Sequence, residues 1–156
     1  MRELYHGTLA QNVPSIKKLG LLPQKGRWAS GFRQNAAKLV YAVDSERRGR
    51  LVTYITGQIA KCNRVQCSDH YRFDDFKEDL IELGAIVIIK TARFTQYPSH
   101  YLNAHQSGPE PGDWYSHEPV SAEEIQTIVA GSDILDWLRP SEPDFTYRLR
   151  DVLRGR

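Results

Sequence analysis

Short apolar runs separated by polar, glycine-rich and proline-rich stretches divide the chain into strands and helices. Residues 2–6 read as a short strand that feeds a turn at His6-Gly7-Thr8. Val13, Ile16 and Leu19 then recur at helical spacing, with Lys17 and Lys18 between them. Pro14 suits the first turn of this helix and Gly20 the position just past its end. Leu21-Leu22-Pro23 leaves the helix in extended form. Residues 24–37 are rich in Gly, Arg, Gln and Asn and read as a loop; Trp28 either faces a ligand from it or anchors it to the core.

The pattern then alternates between strand and helix without a regular rhythm. Residues 39–43, Leu-Val-Tyr-Ala-Val, are β-prone. Asp44-Ser45 can cap a following helix that carries Leu51, Tyr54, Ile55 and Ile59. The stretch from Cys62 to Phe76 fits no single template. Ala85-Ile86-Val87-Ile88-Ile89 is the most apolar run, and its β-branched content predicts a central buried strand continuing through Lys90 to Phe94. Residues 95–113 read as a long loop, and Trp114–Glu118 as a strand edge. Ser121-Ala122-Glu123-Glu124 predicts a capped turn before Ile125–Val129, and Asp133–Leu138 a short helical turn. Residues 140–156 read as a linker and a basic C-terminal helix outside a domain spanning residues 1–139. Interspersed strands and helices without βαβ order predict an α+β domain.

Composition adds bounds rather than detail. A chain of 156 residues with 40% hydrophobic and 26% charged residues fits one globular domain with a sizeable core. No apolar run reaches membrane-spanning length, and Met1-Arg2-Glu3-Leu4 lacks the apolar stretch of a secretory signal. The expectation is therefore a cytoplasmic protein, or one delivered into a target cell without a classical signal, with no membrane partner. The formal charge of +2 does not by itself imply nucleic acid. Arg47, Arg48 and Arg50 cluster, and more arginines fill the C-terminus, where they can meet phosphates or simply be solvated. Cys62, Cys67 and His70 lack an evident fourth zinc ligand, so they read as reduced thiols and an ordinary histidine, with no metal expected.

The chemistry-bearing residues fall in an order. Leu4-Tyr5-His6-Gly7-Thr8 precedes a helix and Gly20-Leu21-Leu22-Pro23. Val40-Tyr41-Ala42-Val43-Asp44-Ser45 follows, with Tyr54 downstream. Glu110, Asp113 and Glu118 then surround Trp114-Tyr115-Ser116-His117. Gly7 has no Cβ, so a ligand can approach the backbone there, between the hydrogen-bonding groups of His6 and Thr8. There is no Walker loop, no dinucleotide-binding glycine fingerprint and no nucleophile elbow.

This order resembles the ADP-ribosyltransferases of the His-Tyr-Glu kind, which include the poly-ADP-ribose polymerases and many bacterial toxins and effectors. The resemblance covers roughly residues 3–130. It implies a split, strongly bent β core holding NAD, as co-substrate, extended in a cleft. His6 would bind the adenosine ribose and the Gly7 backbone the nicotinamide carboxamide, with Thr8 beside them. Tyr41 would stack on the nicotinamide ring, helped by Ser45 and Tyr54. Glu118 would be the catalytic carboxylate, with Asp113 its competitor and Glu110 a weaker one. Family members that modify arginine carry a second acid two residues before the glutamate. Ser116 stands there in this chain, which argues against an arginine target.

The implied activity is mono-ADP-ribosyl transfer to a macromolecular acceptor, protein or nucleic acid, in a toxin or effector setting that an antitoxin or inhibitor would accompany. Physically, loss of nicotinamide develops positive charge on the ribose, which a preorganised carboxylate stabilises, and an aromatic face attracts the pyridinium. Two other readings stay open. RNA 2′-phosphotransferases share a comparable opening but carry a second histidine where this chain has Tyr41. A non-catalytic module binding nucleotide, RNA or protein needs none of the acids.

Overall fold

The computed structural model describes residues 1–23, 38–45, 73–98 and 109–139, together with Arg48, Leu51, Ile55, Gln58 and Ile59. These residues form a six-stranded antiparallel sheet with helices packed on it. The strands are β1 (Arg2–Leu9), β2 (Val40–Val43), β3 (Gly84–Thr91), β4 (Thr95–Pro98), β5 (Pro109–Ser116) and β6 (Ile125–Ala130). The helices are α1 (Val13–Leu19), α2 (Phe73–Leu83) and α3 (Asp133–Leu138). The strand order is β4-β5-β2-β1-β3-β6, so β1 and β2 are central and β4 and β6 form the edges. The domain is thus a mixed α+β one. No described helix is long and apolar enough to cross a membrane.

Both faces of the sheet are covered, and strand alternation sorts the side chains between two cores. Tyr5, Leu9, Val43, Ile86 and Ile88 join Leu51, Ile55, Ile59, Leu80, Ile134 and Leu138 in one cluster. Leu4, Val40, Ala42, Val87 and Ile89 join Ile16, Leu21, Phe94 and Val120 in the other. This is why Ala85–Ile89 is an unbroken apolar run in an antiparallel sheet, where one solvated face would give alternation. Gly84 lets α2 pass straight into β3, because a Cβ there would stand 2.7 Å from the Leu80 carbonyl oxygen.

Several sequence expectations are corrected here. His6-Gly7-Thr8 is no turn: β1 runs on to Leu9 and pairs with β3 from Arg2↔Thr91 to Leu9↔Gly84. Glycine weakens a strand interior, but the β1–β3 pairs on either side of Gly7 keep the ladder intact. The apolar strand ends at Thr91, short of Phe94, where Arg93 turns the chain and donates its backbone N–H to the Thr91 hydroxyl. Residues 95–113 are not one loop, since β4 and most of β5 lie within them. The proline pairing Pro98↔Pro109 falls on the edge of the sheet, where a missing N–H is tolerated. β5 also ends at Ser116, before Glu118. Residues 125–130 form β6, paired along β3. Ser121 and Glu124 form the expected capping box of a short 3-10 turn. The Cys62–His70 run, Trp28, Tyr54 and the C-terminal residues 140–156 lie outside the described residues.

Candidate active site

The sequence candidates gather around the seam between β1 and β2. The β1–β3 ladder is eight pairs long, whereas β1 and β2 share the single pair Tyr5↔Val43. β2 then pairs with β5 from Val40↔Ser116 to Val43↔Asp113. Three adjacent strands therefore carry His6, Tyr41 and Asp113.

His6 is half-buried and bridges the seam. Its Nδ1 stands 2.6 Å from the Tyr41 main-chain oxygen. A carbonyl can only accept, so Nδ1 carries the proton and Nε2 of the neutral ring is left as an acceptor. Burial lowers the His6 pKa, with the Tyr41 carbonyl opposing that shift. The ring is thereby held in one tautomer, with an acceptor nitrogen suited to a hydroxyl donor. Alternation sets His6 on the face of Leu4 and Thr8, and Tyr41 on the face of Tyr5 and Val43. Tyr41 is half-buried and packs against the first core cluster.

Gly7 is closely packed by side chains of the first core cluster. A Cβ there would lie 2.9 Å from Ile55 Cγ1 and 3.4 Å from Leu51 Cδ2. The Gly7 carbonyl accepts a hydrogen bond from Gln58 Nε2 at 3.1 Å. What approaches this backbone in the structure is the chain's own helical segment. Thr8 is buried, and its hydroxyl accepts from Asn12 Nδ2 at 3.2 Å. Ser45 is exposed just after Asp44, whose carboxylate accepts from Trp114 Nε1 at 2.9 Å. That bond ties the end of β2 to β5 beside Asp113.

Glu118 is placed differently from the other candidates. It lies beyond β5 with its side chain 73% exposed, 3.0 Å from Arg93 Nη1. Arg93 also binds Glu124 through Nε and Nη2 and the Pro119 carbonyl at 3.1 Å. Burial acts to raise the Glu124 pKa, but Arg93 and the Ser121 N–H outweigh it and hold the carboxyl below its ordinary value. Glu118 thus belongs to a surface clasp on Arg93 that fastens residues 118–124 to the end of β3.

In the sequence Arg48 reads as part of a basic cluster that can meet phosphates or be solvated. Its guanidinium lies 4.9 Å from the Tyr5 ring centroid and 4.3 Å from that of Trp137, and donates to the Tyr5 hydroxyl and the Trp137 carbonyl. Arg48 Nε is buried without a hydrogen-bond partner. The signal was its spacing: residues 48, 51, 55 and 59 lie on one helical stripe, so a cation there falls on the core-facing side. Among the described residues no cluster of three His, Cys, Asp or Glu converges as a metal site.

Comparison with protein-family models, with curated proteins and with solved structures yields no match to the chain.

Proposed function

We propose that the chain is an NAD-dependent mono-ADP-ribosyltransferase, with NAD crossing the seam between β1 and β2. The observation that carries this reading is the strand order, which makes neighbours of three motifs far apart in sequence: His6 on β1, Tyr41 on β2 and Asp113 on β5. The His6 acceptor nitrogen takes a ribose hydroxyl of the adenosine end. Tyr41 and the Gly7 backbone, on the opposite face of the seam, take the nicotinamide end.

Of the two acids, the reading now favours Asp113. Its partner in the ladder is Val43, and Tyr115, two residues on, pairs with Tyr41. The Glu118 carboxylate is exposed and neutralised by Arg93, where solvent screens it. In the reaction the C1′–N bond of the nicotinamide ribose breaks, and its electron pair leaves with neutral nicotinamide. The Asp113 carboxylate holds the 2′-hydroxyl and stabilises the positive charge left on the ribose. An acceptor nucleophile bonds to C1′ and gives up its proton.

The test uses NAD labelled in its adenine, incubated with the protein and separately with cellular protein, RNA and DNA. Label carried into one pool, and lost with His6→Ala or Tyr41→Ala, is the expected result. A folded protein that labels no pool contradicts it and leaves a binding module.

A further inference from the structure

We infer that the Gln58 side chain occupies the nicotinamide subsite in the free protein and competes with the dinucleotide for Gly7. This rests on the transferase reading above. Gln58 Nε2 donates to the Gly7 carbonyl at 3.1 Å across 51 positions of sequence. The group it presents is a primary carboxamide, which is also the polar group of nicotinamide. Gln58 thus makes, within the chain, the hydrogen bond that the incoming carboxamide would make.

Gly7 is already covered and hydrogen-bonded from this side. Ile55 Cγ1 and Leu51 Cδ2 occupy the side on which a Gly7 Cβ would stand. Leu51, Ile55 and Gln58 recur at i, i+4 and i+7, so one helical face is pressed onto β1 at this glycine. Tyr41 packs against the same cluster. A nicotinamide carboxamide that takes the Gly7 carbonyl must therefore displace the Gln58 amide, while the adenosine end, at His6, is not opposed by it. The contact satisfies a partly buried carbonyl when no dinucleotide is bound and makes entry of the nicotinamide end the step that costs affinity.

Titration calorimetry of the full chain tests this with NAD and ADP-ribose, which differ by the nicotinamide. Gln58→Met keeps the length and apolar packing of the side chain and removes the donor. Its NAD affinity should rise by about fivefold, the worth of one net hydrogen bond, with ADP-ribose affinity unchanged. Unchanged or weaker NAD binding by Gln58→Met overturns the inference. So does an equal gain for ADP-ribose, which would mean a general loosening. If neither wild type nor variant binds NAD or ADP-ribose, the transferase reading itself falls, and this inference falls with it.

Discussion

Gly7 and His6 show how much a single residue decides at the β1–β2 seam. The Gly7 Cα is close enough to Ile55 that Gly7→Ala forces the covering helical segment away. Overpacking of this kind costs about 1–3 kcal/mol, read as a lowered midpoint in urea. An unchanged midpoint would mean that the segment yields freely. His6 carries a pH signature. Burial lowers its folded pKa below the ordinary 6.5, so the unfolded chain binds more protons. Its stabilising contribution is complete above about pH 6.5 and is lost as the pH falls from there through the lowered folded value. His6→Asn, which keeps a donor for the Tyr41 carbonyl, should flatten the fall of Tm with acid in that window. A slope equal to that of wild type would show that other groups cause it. The presence of His6 was legible in the sequence. Its tautomer was not, because that depends on a carbonyl 35 residues away.

At the scale of elements, the joints matter more than the strands. Gly20 ends α1 with φ at +78°, and a Cβ there would strike the Val120 carbonyl. Its conformation lets Leu21 exchange two 2.9 Å backbone hydrogen bonds with Val120. Gly20→Ala should therefore cost at least about 2 kcal/mol, from a left-handed backbone and a clash with main chain. A loss below half of that would mean the bridge gives way cheaply. Arg48 joins β1 to α3 through two rings and two hydrogen bonds. Arg48→Lys keeps the charge but not the planar fork, and should cost about 1–2 kcal/mol in thermal denaturation. Equal stability would reduce the contact to simple charge. Element types were legible wherever spacing was regular, as in α1, β2 and the apolar core of β3. They were misread where a motif suggested a turn, at His6-Gly7-Thr8, and where prolines suggested a loop, at residues 95–113. In both places strand pairing outweighed local preference.

Across the whole molecule, the sheet converts a scattered set of short motifs into neighbours. Two cores, one on each face, hold β1 and β2 centrally, so the residues on their seam are fixed from both sides. The sequence orders the motifs and favours Glu118 among the acids, but where β5 stops is not legible in it. It stops at Ser116, and Arg93 then takes Glu118 into its surface clasp. The central claim is that NAD is cleaved here with the carboxylate supplied by β5. The most direct measurement is nicotinamide released from NAD by wild type, Asp113→Asn and Glu118→Gln, each checked for folding. The account predicts release by wild type, a loss of about a hundredfold or more in Asp113→Asn, and near-wild-type release in Glu118→Gln. Release that survives in Asp113→Asn and disappears in Glu118→Gln would contradict the assignment of the acid, and folded wild type that frees no nicotinamide with any acceptor pool would contradict the claim itself.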